Sequence, residues 1–308
     1  MSKPTLLLVL ASSWPALVDA TRAASIRELL QRHSPSNVVP MTSPDGLVGL
    51  ACMQDCKAGD VLLEVPISAC LGEPGDDAIE HADGAIARGV PFQQPPEWAN
   101  DLPWIARLAV VVLKTSSSGD LFLRSWPSAE VELPMCLEPN VLRHHSHDNG
   151  AFAEEALFLR SWVAEQLACA RTAAAAAGDD ADPWSEAAWR WAVTHVGARV
   201  LNVDTGAATG FGECRLLVPC VDLANHAARP SAIYAFSRSS PCGAAVRLVA
   251  TRDLRAGDEV TLEYGRRTNA HFAQCAPPRR PRAAPPPLPP CPARPRPVLI
   301  GPCGAAPS

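Results

Sequence analysis

The sequence is poor in tyrosine and in cationic residues, and the shortage of cations limits the kinds of partner that the protein can bind. It has two tyrosines in 308 residues, and its 27 lysines and arginines are outnumbered by 32 aspartates and glutamates. Binding to a phosphate backbone needs clustered lysine and arginine, so we do not expect nucleic acid as a partner. The 47% hydrophobic content supports a core, and the length allows one large domain or two ordinary ones.

The sequence also lacks an apolar run long enough to span a bilayer. In residues 1–20, Lys3 precedes an apolar stretch, and a small-residue cleavage pattern ends at Ala20. These features indicate a targeting segment; a first core helix is the alternative, although Pro15 would interrupt it. We therefore expect no membrane partner and an intracellular location, in a plastid or another organelle if the segment is a targeting signal.

Paired-cysteine motifs are absent as well. The eleven cysteines include no C-x-x-C pair, and an odd number does not suit the disulfide framework of a short secreted chain. Their spacing also lacks the ligand pattern of structural zinc. We expect reduced thiols and no metal site.

The composition changes several times along the chain. Residues 22–33 have helical periodicity, with Ile26, Leu29 and Leu30 on one face. Apolar runs of strand length then alternate with glycine and aspartate, and such runs return after residue 212. The predicted organisation is a targeting segment at 1–20, an N-terminal part at 21–75, a helical insertion at 76–195, a C-terminal part at 196–272 and a tail at 273–308.

The tail at 273–308 contains thirteen prolines, five arginines and no acidic residue. Such a composition predicts a disordered, partly polyproline-II segment. Its P-x-x-P content is suited to an SH3-like groove, and a plain unstructured tail without a partner is the alternative.

Two segments share one pattern. LVGLACMQDCKAGDVLLEVP at 47–66 and VRLVATRDLRAGDEVTLEYG at 246–265 each contain a strand, the motif D-x-[KR]-A-G-D and a second strand. The glycine of each motif suits a turn position with positive φ. The pattern predicts a β-hairpin in each segment.

The stretch LLVPCVDLANH contains an acid, an amide and an imidazole directly after an apolar strand. Asp222, Asn225 and His226 lie within five residues, and Tyr234 follows on the next predicted strand. From these residues alone, the polar side chains either cap a turn or line a site.

Five motifs follow one another along the chain: DGLVG, WRWAVTHVGARVL, PCVDLANH, AGDEVTLEY and RRTNAHF. In this order they resemble the SET-domain methyltransferases. The resemblance is greatest to the branch of the Rubisco large-subunit lysine methyltransferase and the actin-histidine methyltransferase. It implies an α+β fold of the SET type, in which short β-sheets are interrupted by a mostly helical insertion. It also implies an S-adenosylmethionine-dependent protein-lysine N-methyltransferase, whose partner is a lysine side chain of a protein substrate.

The resemblance also implies roles for individual residues. Tyr264 matches the tyrosine that faces the methyl-transfer centre, and Asp222 and Tyr234 match positions that line the substrate channel. An arginine at the position of Arg199 pairs either with the cofactor's carboxylate or with the nearby acid. The positions that match the S-adenosylmethionine pocket are Gly46, Leu47, Val48, Arg199, Asn225 and His226.

The sequence departs from the family pattern after TNAHF. The family continues with a Tyr-Gly-Phe element and a helical substrate-binding domain, whereas no tyrosine follows Tyr264 here. The composition of the tail indicates a truncation, a shifted reading frame or an unspliced intron. Two alternatives therefore stay open: a SET-fold module that binds peptide or cofactor with little turnover, and a protein-histidine methyltransferase.

Overall fold

The computed structural model describes residues 20–33, 36–42, 47–75, 92–129, 133–145, 151–179, 184–205, 212–240 and 243–264. All of them belong to the first of the two compact units of the chain, Met1–Pro278. The predicted tail, Gly46 and the predicted targeting segment, apart from Ala20, lie outside the described residues.

One of the described helices precedes the first strand, and the others follow later in the chain, after the first four strands. The predicted helix at 22–33 is confirmed as α1, which buries Ile26, Leu29 and Leu30. Within the predicted helical insertion, a long helix ends at Ala176, just before the polar AGDDADP sequence. The helices are α1 (Ala20–Arg32), α2 (Trp104–Ser116), α3 (Leu121–Arg124), α4 (Pro139–His145), α5 (Ala151–Ala176) and α6 (Glu186–Arg199).

Short strands form three small sheets, so the α+β fold class predicted from the sequence is confirmed. The first sheet has the order β1 (Val38–Thr42), β2 (Val48–Cys52), β10 (Glu259–Leu262) and β7 (Asn225–His226). The second has the order β3 (Val61–Pro66), β9 (Gly243–Ala250) and β8 (Ala232–Ser240), and the third β4 (Leu71–Pro74), β6 (Glu213–Leu217) and β5 (Leu201–Asp204).

The prediction that each A-G-D segment forms a hairpin is wrong. β2 pairs with β10 and β3 pairs with β9, so the strands on either side of each turn lie in different sheets. The two turns bond to each other instead: Cys56 and Leu254 exchange backbone hydrogen bonds of 2.8 and 2.9 Å. The carboxylates of Asp55 and Asp253 each accept a hydrogen bond from the opposite turn, at 2.9 and 3.1 Å. These hydrogen bonds between the two turns join residues that are about 200 positions apart in the sequence.

The core lies between the sheets and α2. Residues 108–112 of α2 are nearly completely buried, because this helix packs against α6 on one side and β4 on another. Burial of such aliphatic side chains stabilises a fold by roughly 1.5–3 kcal/mol each. This core holds the C-terminal end of α6 and the strands β7 and β10 in fixed positions.

Candidate functional site

The segment 221–226 directly follows a residue with a strained backbone conformation. Cys220 is buried and has φ of 66°, a conformation that residues other than glycine rarely adopt. A 3₁₀ turn, Val221–Leu223, follows, and the chain then enters β7. Such strain occurs often at functional sites, where the surrounding structure holds it in place.

Asn225 lies on β7, and its side chain contacts both β10 and β2. Its side-chain nitrogen Nδ2 donates a 2.9 Å hydrogen bond to Oε1 of Glu259. A Cβ atom at Gly49 would lie 2.6 Å from the same nitrogen, so a side chain at that point of β2 would displace the Asn225 amide. The amide is therefore held by one strand and closely covered by another.

His226 and Tyr264 form the next layer of the site. β7 pairs with β10 in parallel, and His226 is opposite Leu262. The backbone N–H of Tyr264 donates a 3.2 Å hydrogen bond to Nδ1 of His226, and the two rings lie 5.3 Å apart. The Tyr264 hydroxyl donates to the backbone oxygen of Ala224 at 2.6 Å. This bond directs the phenol proton at the Ala224 carbonyl and fixes the position of the oxygen.

The position of Asp222 corrects the expectation that it lines a substrate channel. Its side chain is completely buried, and Nη1 of Arg199 contacts its Oδ2 at 2.9 Å. The same guanidinium group lies 5.5 Å from the centre of the Trp126 ring. Of the two partners expected for Arg199, the structure therefore pairs it with the acid. Both residues therefore support segment 221–226 from the protein interior.

Several buried polar atoms around this ion pair lack a hydrogen bond of good geometry within the described residues; they are Oδ1 of Asp222, Nε of Arg199 and both ring nitrogens of His195. The Trp126 side chain still acts on Asp222 as a hydrogen-bond partner, and the backbones of Pro127 and Trp191 act on His195. Burial raises the pKa of Asp222, and Arg199 opposes that rise. Burial, with Arg199 adding to it, lowers the pKa of His195 to about 3, so this imidazole is neutral at ordinary pH.

Tyr234 lies on β8. It lines a cavity of about 550 Å³ together with Phe236, Leu262 and Glu263. Leu262 and Glu263, which directly precede Tyr264 in the chain, contribute to the wall of this cavity. The cavity is large enough for a side chain and part of the neighbouring peptide.

The remaining predicted positions are Leu47 and Val48, at the beginning of β2 and partly buried. Sequence reasoning missed Gly49, Glu259 and Ala224. Gly49 was detectable as the second glycine of DGLVG, whereas nothing in the sequence indicates that Glu259 holds Asn225 or that Ala224 accepts the Tyr264 hydroxyl.

The atoms at this site suit the amino-acid end of S-adenosylmethionine. The Glu259 carboxylate and the Asn225 amide oxygen are acceptors for an ammonium group, and the bare backbone at Gly49 permits close approach. Within the described residues, no group of histidine, cysteine and acidic side chains is arranged to hold a metal ion. None of the seven described cysteines forms a disulfide with another of them. None of the described helices has the length and apolar character needed to cross a membrane.

Comparison with known proteins places this geometry in a family. A model of the SET domain matches residues 48–265. A search of curated protein sequences gave no match. Among solved structures, the SET domain of LSMT bound to methyllysine and AdoHcy has a TM-score of 0.64 at 16% identity, with 86% of this chain and 58% of that chain covered.

A second similar structure is that of Rubisco LSMT bound to AdoMet. It has a TM-score of 0.60 at 16% identity, with 85% of this chain and 57% of that chain covered. The chain thus spans somewhat more than half the length of these neighbours. At this identity the likeness shows the fold, while the family match covers most of the sequence. The chain belongs to the SET domain family of methyltransferases.

Proposed function

We propose that the chain is an S-adenosylmethionine-dependent protein-lysine N-methyltransferase. The observation that supports this most strongly is the convergence of Asn225, Gly49, Glu259 and Tyr264 from separate strands. The similar LSMT structures are bound to AdoMet, AdoHcy and methyllysine, which supports the same ligands here.

In this proposal the cofactor's amino-acid end is held by Asn225, His226 and Glu259. Leu47 and Val48, with Gly46, belong to the loop whose backbone meets the cofactor. Arg199 and Asp222 act from behind as a buried ion pair that fixes the segment carrying Asn225. When bound, the cofactor supplies an activated methyl group on sulfur.

The residues on the substrate side must prepare a neutral amine. A lysine ammonium group has a reference pKa of about 10.4, and desolvation favours its neutral form. Tyr234, Phe236 and Leu262 provide the partly apolar walls that desolvate it. The Tyr264 hydroxyl, fixed by Ala224, accepts a hydrogen bond from the amine and so directs the nitrogen lone pair at the methyl carbon. The N–C bond forms as the C–S bond breaks, and the amine then releases a proton.

A second candidate is a SET-fold module that binds cofactor or peptide with little turnover. The observation that favours it is the tyrosine count: Tyr234 and Tyr264 are the only two in the chain, so the family's further active-site tyrosine has no counterpart. A protein-histidine methyltransferase differs from the proposed enzyme only in the acceptor nitrogen.

Transfer of a tritiated methyl group from S-adenosylmethionine to a library of peptides tests these alternatives. The proposal predicts label in peptides that contain lysine and none when each lysine is replaced by arginine. Label that follows histidine would identify the histidine enzyme. Saturable cofactor binding without any label, in peptides and in intact acceptor proteins, would favour the module.

A further inference from the structure

Trp126 lies just after α3 and is buried beside the ion pair that supports the site. Its backbone N–H donates a 3.1 Å hydrogen bond to the backbone oxygen of Leu123, which ties the residue to α3. Its side chain lies in the core, and the guanidinium carbon of Arg199 lies 5.5 Å from the centre of its ring. At this distance the negative face of an indole attracts a cation, and the attraction is stronger where water is excluded.

The Trp126 ring is held in place by other rings. The ring of Phe122 meets it edge to face at 5.4 Å, and the rings of Trp191 and His195 lie at 5.7 and 5.3 Å. Nε1 of Trp191 donates a 2.9 Å hydrogen bond to the backbone oxygen of Pro127, the residue that follows Trp126. The indole is therefore a rigid surface against which the arginine rests.

Arg199 needs such a surface, because a single nitrogen anchors its guanidinium group. Nη1 donates to Oδ2 of Asp222 at 2.9 Å and to the backbone oxygen of the same residue at 3.4 Å. Nε has no hydrogen bond of good geometry within the described residues. A group anchored at one nitrogen can rotate about that anchor, and contact with the Trp126 ring limits this rotation.

We propose that Trp126 is a positioning residue of the site, whose ring face directs the guanidinium group of Arg199 at Asp222 and so fixes segment 221–226. Asp222 is two residues from Ala224, whose carbonyl oxygen accepts the hydrogen bond from the Tyr264 hydroxyl. Movement of the ion pair therefore reaches the phenol through two residues of backbone.

Two simpler roles for Trp126 are to fill space in the core and to act on Asp222 through its N–H group. Trp126→Leu does not separate them, because it also leaves a cavity. A tryptophan fully fluorinated on its benzene ring, placed at position 126 alone, nearly keeps the shape and packing. Fluorine withdraws electrons from the ring, so the face attracts a cation less, whereas the N–H becomes a stronger donor.

The measurement uses the small number of tyrosines. The full chain labelled with ¹³C at the tyrosine Cζ gives two NMR resonances, and Tyr234→Phe assigns the one that belongs to Tyr264. Asp222→Asn, which weakens the ion pair directly, supplies the reference direction. We expect fluorinated Trp126 to shift the Tyr264 resonance by more than its linewidth, in the same direction as Asp222→Asn and less far.

The matched control is the same fluorinated residue at position 104. The Trp104 ring lies 5.2 Å from the guanidinium carbon of Arg215, and Arg215 pairs with the buried Glu73 at 3.1 Å. This is the same arrangement of ring, arginine and acid at a place that holds none of the proposed site residues. We expect it to leave the Tyr264 resonance at its wild-type position.

Three results would overturn the proposal. A Tyr264 resonance unmoved by fluorinated Trp126 would leave the indole with a space-filling role. A shift opposite to that of Asp222→Asn would assign the effect to the N–H group, and an equal shift from position 104 would show that the resonance follows general stability. The catalytic importance of segment 221–226 rests on the proposed function, but the resonance needs neither cofactor nor turnover. The expected shift without any methyl transfer would thus count against the proposed function alone.

Discussion

Two buried acids, Glu73 and Asp222, are each held by arginine, but they differ in how completely they are bonded. Glu73 on β4 receives two hydrogen bonds from Arg107, at 2.7 and 2.9 Å, and one from Arg215 at 3.1 Å. Asp222 receives one strong bond from Arg199, and its other oxygen has no partner within the described residues. Their side chains are equally inaccessible to water, at 3% and 0% exposure.

This difference in hydrogen bonding indicates that Glu73 and Asp222 have different roles. Glu73 joins α2 to β4 and β6, and a group with all its hydrogen bonds made is what a purely structural role requires. Around Asp222, buried polar atoms such as Nε of Arg199 lack a hydrogen bond of good geometry within the described part of the chain, which costs stability. Such a cost is typical of residues that serve a site rather than the fold.

The largest expected effects come from neutralising each acid. Glu73→Gln removes three charge-assisted bonds and leaves two buried cations, so we expect a loss of about 3–5 kcal/mol in unfolding free energy. Asp222→Asn removes one strong bond and should cost less, about 1–3 kcal/mol. Denaturant unfolding measures both losses. We further expect Asp222→Asn, but not Glu73→Gln, to weaken the binding of S-adenosylmethionine, measured by calorimetry. A larger loss of stability in Asp222→Asn, or a larger loss of affinity in Glu73→Gln, would contradict the different roles assigned to the two acids.

The buried imidazole of His195, which packs against the rings of Trp126 and Trp191, should make this region sensitive to acid. Its folded-state pKa of about 3 lies below the ordinary 6.5, so its contribution to stability is present above pH 6.5 and is lost as the pH falls. The loss is about 1.4 kcal/mol per pH unit across that window. The raised pKa of Asp222 acts in the opposite direction, because stability from that group falls as the pH rises above 3.8.

The check is urea unfolding from pH 7 to pH 4 of the wild type and of His195→Phe. We expect the variant to lose less stability between these two pH values. His33→Phe is a second test of the same effect: burial also lowers the pKa of His33, which directly follows α1, so this variant should likewise lose less stability than the wild type. Parallel pH curves for the wild type and His195→Phe would show that His195 does not supply the acid sensitivity.

Tyr264→Phe should lower turnover more than it lowers cofactor affinity. A catalytic group that slips by about an ångström costs on the order of 10²-fold in rate. Loss of the bond to Ala224 should also reduce unfolding free energy, by about 0.5–1.5 kcal/mol. Steady-state kinetics and thermal unfolding measure the two effects. Tyr234→Phe should mainly raise the KM for peptide, and equal turnover of Tyr264→Phe and the wild type would assign Tyr264 a structural role only.

Local sequence patterns predicted the parts of the fold that depend on local conformation. The apolar periodicity of α1 is confirmed, and Gly59 and Gly257 have φ of 90° and 89°, as their turns require. The pairing of the two A-G-D segments was predicted wrongly, because the partners of Asp55 and Asp253 are about 200 residues away. Short motifs contain no information about which distant turn a carboxylate will meet.

The same limit applies to the site. The motif identified Asn225, His226 and Tyr264, which the structure brings together around β7 and β10. It did not reveal that Asp222 is buried against Arg199, because burial depends on the packing of α6 and α3 around the segment.

The most direct test of the account is calorimetric titration of S-adenosylmethionine into the wild-type chain and into Asn225→Ala. We expect saturable binding by the wild type and a loss of about 1.5–3 kcal/mol in the variant, tenfold or more in Kd, because a charged ligand loses its amide partner. Gln54→Ala, which removes an exposed amide pair with Asn37 on the surface, should bind like the wild type. An absence of binding by the wild type, or equal affinity of the wild type and Asn225→Ala, would contradict the proposed cofactor site.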